Sequence, residues 1–179
     1  MKKIYLVRHC EAEGQHIDAS LTEQGYKQAL ELSNFFADLT IDYIITSPYK
    51  RALESIQPFA QSSHLAIAQD NRLSERVLST QNLPDWFEKL QRTSQDMELK
   101  FEGGESSYEA MTRIIAVVEE AFQSSNNHIV IVTHGNLLSL LLKHYNEKFG
   151  FVEWQKLSNP DIFLLENINN GVTYTRIWK

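Results

Sequence analysis

Short apolar runs alternate along the chain with segments of helical periodicity, and this alternation constrains the fold more than any other feature of the sequence. An apolar run of about 4–8 residues is typical of a strand that is buried on both faces. Strands that alternate with helices favour a parallel sheet covered by helices. We therefore predict an α/β fold, a three-layer α/β/α sandwich with a mostly parallel central sheet. The strands are predicted at 3–7, 43–46, 65–68, 129–133, 162–165 and 172–177, with a turn at Asn169-Asn170-Gly171 before the last one.

Capping signals predict where the helices begin. Ser47-Pro48 puts a capping hydroxyl before a proline, which suits the first helical position. Ser106 and Glu109 have the spacing of a capping box, and Thr22 can cap an earlier helix. The segment Asn136–His144 is apolar nearly all round, which is typical of a buried helix.

The length and composition suit a single domain. The chain has 179 residues, of which 42% are hydrophobic and 22% are charged, as in ordinary globular proteins. We expect one domain, residues 1–179, with an excursion at 76–105 that caps the substrate site. The central part of this excursion, Ser79–Lys100, is polar and lacks clean periodicity, so it is predicted to be a helical excursion or a mobile flap.

Net charge and the length of the apolar runs argue against two classes of partner. The net charge is −6, whereas nucleic-acid binders usually carry a basic stripe. No segment reaches the roughly 18 apolar residues of a membrane span. Arg8 and His9 interrupt the first apolar run too early for a signal peptide, and the single cysteine, Cys10, permits no internal disulfide. We expect a cytoplasmic protein that binds neither nucleic acid nor membrane.

Two of the predicted strands deliver a histidine each to the end of the strand. Arg8-His9 directly follow the first strand, and His134-Gly135 directly follow the strand at 129–133. Ligands of open α/β sheets bind beyond the carboxyl ends of the strands. We therefore expect these residues to lie in one site rather than in two unrelated loops.

Arg51 suggests that this site binds an anion. It lies in the first turn of the helix predicted after Ser47-Pro48, beside Lys50. A cation there opposes the helix dipole at a cost of about 0.3–1 kcal/mol, whereas helix N-termini attract phosphate. A bound anion would offset the cost at Arg51; the alternative is that both side chains bend away into water.

Five motifs that include these residues occur in an order that resembles the histidine phosphatase superfamily, also called phosphoglycerate mutase-like. They cover nearly the whole chain, so the resemblance is specific. The motifs are Leu6–Glu11 for a strand ending in Arg-His-Gly, Leu21–Ala29 for Leu-Thr-x-x-Gly-x-x-Gln-Ala, Ser47–Ala52 for Ser-x-x-x-Arg-Ala, Gly104–Ser106 for Gly-Glu-Ser, and Thr133–Gly135 for Thr-His-Gly.

The resemblance implies a phosphatase without metal or other cofactor that hydrolyses a small phosphorylated metabolite. His9 would attack phosphorus and form a phosphohistidine, which splits one difficult displacement into two easier ones. Arg8 and Arg51 would hold the phosphoryl oxygens in charge-assisted hydrogen bonds. His134 would donate to the same oxygens in the transition state, where losing one donor typically costs roughly 100- to 1000-fold in rate. Gly135 would complete the substrate site beside it.

The resemblance also indicates which residue protonates the leaving group. In the family an acidic residue after the third strand does so, and Glu75 is at the matching position. Glu105 is the alternative acid, although the helix dipole alone also favours a carboxylate at a helix start. Gln15 stands where many relatives have an asparagine that contacts phosphate. The family's glycine-tryptophan pair after the glutamate is absent here, and Cys10 replaces the family's glycine beside the nucleophile.

Three alternative functions follow from the same residues. A phosphoglycerate mutase or a protein-phosphohistidine phosphatase would use the same nucleophile. Cys10 and the altered segment after Glu75 favour a different class, a phospholigand-binding regulatory protein with impaired catalysis. The sequence predicts neither the substrate nor the oligomeric state.

Overall fold

A computed structural model describes residues 2–169 and 171–179 of the chain. The strands are β1 (Lys3–Arg8), β2 (Tyr43–Thr46), β3 (Ile67–Gln69), β4 (His128–Thr133), β5 (Asp161–Ile168) and β6 (Gly171–Arg176). The α-helices are α1 (Glu23–Ala37), α2 (Lys50–Ser63), α3 (Trp86–Gln95), α4 (Ser107–Gln123), α5 (Gly135–Tyr145) and α6 (Phe151–Gln155). A short 3-10 helix spans Asn71–Leu73.

The strands form one sheet in the order β3-β2-β4-β1-β5-β6. Strands β1 to β4 are mutually parallel, β5 runs antiparallel to β1, and β6 antiparallel to β5. The prediction of a mostly parallel sheet is confirmed. In the register of β1 and β4, Arg8 lies opposite Thr133. The residues that follow these two strands therefore start side by side at one edge of the sheet.

Alternate residues of β1 pack into two separate cores. Ile4 and Leu6 contribute to a core with side chains of α4 and α5, whereas Tyr5 and Val7 contribute to a core with α1 and α2. Successive side chains of a strand point to opposite faces of the sheet, so helices cover both faces. The predicted three-layer α/β/α sandwich is confirmed.

The helix predicted to start at Ser47-Pro48 starts later. Its first residue is Lys50, and its N-cap is Tyr49, which makes no side-chain capping bond. Ser47 instead closes a turn, since its Oγ accepts from the backbone N–H of Tyr49 at 3.2 Å. The prediction of a serine cap was wrong because this hydroxyl serves a local turn. Arg51 remains in the first turn of α2.

Other predicted boundaries are close to the observed ones. The capping box of Ser106 and Glu109 is confirmed at the start of α4, and Thr22 caps α1. The strand predicted at 65–68 is shifted to Ile67–Gln69. In the predicted turn before the last strand, Asn169 has a φ of 51°, while Asn170 lies outside the described residues.

The segment at 76–105 contains helix α3 and is closed at its base. The backbone N–H of Glu105 donates to the carbonyl of Val77 at 2.9 Å, and that of Thr80 donates to the carbonyl of Glu102 at 3.0 Å. Gly104 permits this close pairing, because a Cβ there would lie 2.1 Å from the Leu78 carbonyl oxygen. That the segment covers a substrate stays a prediction.

None of the helices within the described ranges is long and apolar enough to cross a bilayer.

Candidate active site

Three separate elements bring His9, Arg51 and His134 together at the carboxyl edge of the sheet. His9 follows β1, Arg51 lies in the first turn of α2, and His134 is the N-cap of α5. Arg51 Nε lies 3.2 Å from His9 Nε2, and the two imidazole centroids are 5.1 Å apart. The structure therefore places these three predicted residues in a single cluster.

The hydrogen bonds of His9 fix its tautomer. Nδ1 lies 2.6 Å from the carbonyl oxygen of Cys10, and a carbonyl can only accept, so the proton is on Nδ1. Nε2 is then the nitrogen with the lone pair, and it accepts from Arg51 Nε. Burial, together with the charges of Arg51 and Arg8, lowers the pKa of His9 to about 3. His9 is thus a neutral imidazole with an available lone pair at neutral pH.

The backbone on either side of His9 is held by Thr133 of the Thr-His-Gly motif and by two residues that the sequence did not reveal, Asn159 and Ser55. The His9 N–H donates to the Thr133 carbonyl at 3.0 Å, and Asn159 Nδ2 donates to the His9 carbonyl at 2.9 Å. Ser55 Oγ accepts from the Cys10 N–H at 2.8 Å. Ser55 lies one helical turn after Arg51, a spacing that could have pointed to it; no sequence signal marks Asn159.

Cys10 is a buried residue beside His9. Its side chain is 0% exposed, and burial raises the pKa of its thiol to about 12. The thiolate is the reactive form of cysteine, so this thiol stays protonated and unreactive at neutral pH. Cys10 fills space under the site.

The Leu-Thr-x-x-Gly-x-x-Gln-Ala motif anchors the loop after His9. Thr22 Oγ1 donates to Glu11 Oε1 at 2.7 Å, and Gln28 Oε1 accepts from the Glu11 N–H at 2.8 Å. A Cβ at Gly25 would lie 2.0 Å from the Glu11 carbonyl oxygen, so only glycine lets α1 approach this closely. The motif positions the loop that follows His9.

Arg51 is an almost fully buried cation that binds the backbone of the loop after His9. Its side chain is 1% exposed, and its Nη1 donates to the carbonyls of Gln15 at 3.2 Å and His16 at 2.9 Å. Its Cζ lies 4.9 Å from the ring centroid of Tyr49. Gln15 was predicted as a phosphate ligand; its carbonyl binds Arg51, and its side chain is exposed at the rim of the cavity described below.

His134 is a second neutral imidazole in the cluster. Its side chain is fully buried, and burial, together with the nearby His9 and Arg51, lowers its pKa well below the ordinary value. Its Nε2 shares a hydrogen bond of 2.7 Å with Ser47 Oγ, and its ring packs edge-on against Tyr49 with centroids 4.8 Å apart. The contacts of Ser47 and Tyr49 with His134 were not predicted from the sequence.

Arg8 crosses the start of α5 directly above Gly135. Its Nη1 donates to the carbonyls of Leu157 at 3.1 Å and Ser158 at 3.3 Å. A Cβ at Gly135 would lie 2.8 Å from Arg8 Nε and 3.0 Å from its Cζ. Gly135 is therefore required for the close approach of the guanidinium.

We expect Gly135→Ala to displace the Arg8 guanidinium and to lower kcat/KM roughly 10- to 100-fold, because a misplaced charge donor stabilises the transition state less well. Alanine suits a helix better than glycine, so the free energy of unfolding should change little. Steady-state kinetics and urea unfolding of the variant check both points. Gly14, around which a Cβ meets nothing within 4 Å, supplies the control Gly14→Ala. Equal activity of the two variants would contradict the steric role.

Glu75 lies at the N-terminus of α5. Its Oε1 accepts from the backbone N–H groups of Arg76 at 2.8 Å and Leu137 at 2.9 Å, and its Oε2 accepts from that of Asn136 at 3.1 Å. A cavity of about 400 Å³ adjoins it. The cavity is lined by Arg8, Gln15, Glu75, Arg76, Leu78, Trp86, Leu90, Gly135, Asn136 and Trp154.

Glu105, the alternative acid, is not among the residues that line this cavity. Its Oε1 lies 2.6 Å from Arg113 Nη2 and accepts from the Val77 N–H at 3.2 Å. Arg113 Nη1 also donates to the carbonyls of Arg72 at 2.6 Å and Ser74 at 2.7 Å. Through Arg113, Glu105 braces the segment that carries Glu75, and its role as the alternative acid stays a prediction.

The two buried histidines make stability depend on pH. The folded chain holds His9 at a pKa of about 3 against an ordinary 6.5, so the unfolded chain binds a proton that the folded chain does not. The contribution of His9 to the free energy of unfolding is therefore fully present above pH 6.5, and it decreases as the pH falls below that value. The titration of His9 alone should lower the free energy of unfolding by about 2 kcal/mol between pH 7 and pH 5. The titration of His134 should lower it further, because its pKa is shifted in the same direction.

Urea unfolding at pH 7, 6 and 5 measures this dependence. His9→Gln and His134→Gln should each flatten the pH slope, because glutamine does not titrate. His144→Gln, at an exposed position, is the matched control and should keep the slope. An identical slope in all variants would show that other groups cause it.

Residues 2–169 and 171–179 contain no group of three or more His, Cys, Asp or Glu side chains that could hold a metal ion.

Comparison with known proteins places the chain in a family. A sequence model of the histidine phosphatase superfamily (branch 1) matches residues 4–177. Phosphoserine phosphatase 1 of Hydrogenobacter thermophilus is 28% identical over 150 residues, which cover 75% of this chain and 71% of that protein. A protein of Salmonella choleraesuis named probable phosphoglycerate mutase GpmB is 28% identical over 161 residues, which cover 79% of this chain and 74% of that protein.

Solved structures share the fold. A mycobacterial glucosyl-3-phosphoglycerate phosphatase in complex with inorganic phosphate superposes with a TM-score of 0.79 at 22% identity, covering 99% of this chain and 96% of that chain. The family match extends over nearly the whole chain, and its phosphatase relatives agree with the site of two neutral histidines and two arginines. The chain is a phosphatase and belongs to the histidine phosphatase superfamily, branch 1.

Proposed function

We propose that the protein is a metal-independent phosphomonoesterase that hydrolyses a small phosphorylated metabolite through a phosphohistidine on His9. The observation that carries this proposal is the state of His9: a neutral ring whose Nδ1 proton is donated to the Cys10 carbonyl and whose Nε2 lone pair lies beside Arg51. An unprotonated imidazole is a competent nucleophile. We also expect the cytoplasmic location that the sequence predicts.

In the first step Nε2 forms a bond to phosphorus while the bond from phosphorus to the ester oxygen breaks. The imidazole then carries a positive charge on the Nδ1–H side, and the hydrogen bond to the Cys10 carbonyl, 2.6 Å long, stabilises that charged form. Arg8 and Arg51 hold the phosphoryl oxygens, and His134 donates to them as charge develops. A protonated Glu75 gives its proton to the leaving oxygen.

In the second step water attacks the phosphohistidine. The Glu75 carboxylate takes a proton from the water, the bond between nitrogen and phosphorus breaks, and inorganic phosphate leaves. His9 returns to its neutral form with the proton still on Nδ1. The position of Glu75 on the cavity wall, together with Arg8, supports both of its roles, because the same carboxyl can reach the leaving oxygen and the incoming water.

The test is to trap the intermediate. The enzyme is mixed with p-nitrophenyl phosphate in EDTA, quenched in alkaline denaturant, and analysed by intact mass and peptide mapping. One phosphoryl group on His9 is expected in the wild type and in His144→Asn, and none in His9→Asn. A phosphoryl group on another residue, or turnover only with added metal, would overturn the proposal. Binding of phosphate without any turnover would instead support the regulatory binding protein.

A phosphoglycerate mutase is the second candidate, because a relative carries that name. A mutase transfers the phosphoryl group to a second hydroxyl, whereas a phosphatase transfers it to water. Phosphorus NMR of a reaction with 3-phosphoglycerate separates the two: inorganic phosphate is the expected product, and 2-phosphoglycerate formed faster than phosphate would favour the mutase.

The role of Glu75 as the acid predicts a dependence on the leaving group. Glu75→Gln should lower kcat/KM, which reports the transfer to His9 and not the later attack of water, roughly 100- to 10,000-fold on an alkyl phosphate, whose alkoxide needs a proton. It should lower kcat/KM far less on p-nitrophenyl phosphate, whose phenolate leaves unaided. Glu105→Gln is the control and should affect the two esters equally. Equal losses on both esters in Glu75→Gln would show that Glu75 is not the acid.

A further inference from the structure

The cavity beside Glu75 has an apolar wall that the phosphoryl chemistry does not use. Trp86, Trp154, Leu78 and Leu90 all line it, next to Arg8 and Glu75. Trp86 is 52% exposed. Leaving apolar surface in water costs about 25 cal/mol per Å², so a half-exposed tryptophan at the mouth of a cavity is typical of a surface that a ligand covers.

The aromatic rings of this wall are held in place by each other. Phe87, next to Trp86 at the start of α3, has its ring centroid 5.6 Å from that of Trp86 and 5.2 Å from that of Phe151 on α6. The Phe151 ring in turn lies 5.2 Å from that of Trp154. These contacts link the start of α3 to α6 along the cavity wall. The wall is therefore preorganised, which reduces the entropy lost on binding.

The charged side chains that line the cavity either serve the phosphoryl group or bind other groups of the protein. Arg8 and Glu75 belong to the phosphoryl end, and Arg76 is the remaining charged side chain among the described residues that line the cavity. Arg76 is only 6% exposed. Its Nε and Nη2 donate to the Glu105 carbonyl at 3.3 and 3.1 Å, and its Nη1 donates to Thr93 Oγ1 at 3.2 Å. These donors hold the protein together, so the wall lacks a cation directed at a second anionic group of the substrate.

We propose that the organic part of the substrate is uncharged and flat, an aromatic or heteroaromatic ring linked to the phosphorylated hydroxyl and seated against Trp86 and Trp154. The inference rests on the proposed function, because it assumes that the phosphoryl group lies at His9. A cavity of about 400 Å³ is in the range that accepts a small ring system. Offset or edge-on packing of a ring on tryptophan adds to simple burial.

The experiment compares esters whose alkoxides are of similar basicity: n-propyl, 2-cyclohexylethyl, 2-phenylethyl and 2-(1-naphthyl)ethyl phosphate, with O-phosphoserine as the charged ester. The kcat/KM of the two arylalkyl esters should exceed that of n-propyl phosphate by about tenfold or more. It should exceed that of the cyclohexyl ester by about threefold, because the ring geometry contributes beyond burial.

Variants assign the preference to the two tryptophans. Trp86→Ala and Trp154→Ala should each lower the ratio of arylalkyl to n-propyl kcat/KM about 3- to 10-fold, and Trp86→Phe should keep most of it. Trp178, which packs on Phe35 with centroids 5.6 Å apart and does not line the cavity, supplies the control Trp178→Ala, which should keep the ratio.

Two failures are distinguishable. If n-propyl phosphate or O-phosphoserine is hydrolysed as well as the arylalkyl esters, in a reaction that His9→Ala abolishes, the inference is overturned and the phosphatase mechanism stands. If the wild type hydrolyses none of the esters, or if hydrolysis survives in His9→Ala, the proposed function is overturned and the inference falls with it.

Discussion

His9→Ala is expected to lower kcat on p-nitrophenyl phosphate at least about 10,000-fold, because it removes the atom that forms the covalent bond. The two arginines and His134 remain, so phosphate should still bind. Since His9 Nε2 accepts from Arg51 Nε, its loss frees one more donor for the anion, and the dissociation constant of inorganic phosphate should change by less than about tenfold. Steady-state kinetics and isothermal titration calorimetry measure the two quantities.

The matched control for this change is His144→Ala, at an exposed histidine that follows β4 on the same helix as the site, α5. It should retain wild-type kcat. A His9→Ala enzyme with a tenth or more of wild-type kcat would exclude His9 as the nucleophile, and circular dichroism distinguishes a chemical defect from unfolding.

Arg51→Lys is expected to lower kcat/KM roughly 100- to 1000-fold although the charge is kept. The guanidinium donates through Nε to His9 Nε2 and through Nη1 to the carbonyls of Gln15 and His16. An ammonium is a compact point charge that cannot reproduce this fork geometry. Losing a hydrogen bond from a charged donor also costs about 1.5–3 kcal/mol, so urea unfolding should show a loss of stability.

Lys50 offers the control for Arg51. It precedes Arg51 in the first turn of α2, is half-exposed, and its Nζ lies 3.9 Å from Glu54 Oε1. Lys50→Ala should change kcat/KM less than about twofold, because exposed ion pairs contribute little. Similar losses in the Lys50 and Arg51 variants would mean that the site responds to net charge alone and not to the contacts of Arg51.

Several residues of the candidate site could be placed from the sequence because their signals are local. The end of an apolar strand marks Arg8 and His9, and the end of another marks His134 and Gly135. Both strands reach the same edge because parallel strands must do so. The capping box at Ser106 was also predictable, since it depends on residues only three positions apart.

Other residues could not be assigned because their partners are distant in sequence. Asn159 holds the carbonyl of His9 across 150 positions, and a loop residue of this kind leaves no periodic signal. Ser47 looked like a helix cap, but its hydroxyl closes a turn and contacts His134, 87 positions away. Glu105 was predicted as the alternative acid because a carboxylate before a helix fits two roles, and its ion pair with Arg113 leaves no signal in the sequence.

By itself, the sequence determined the α/β architecture and the edge of the sheet at which Arg8, His9 and His134 lie, because hydrophobic periodicity and strand ends are local properties of the chain. Only the tertiary structure decided the tautomer of His9, the buried contacts of Arg51, the placement of Glu75 rather than Glu105 on the cavity, and the tryptophan wall beside it. Each of these depends on which side chains the fold brings within hydrogen-bond or van der Waals distance, and those distances are set by packing of the whole domain.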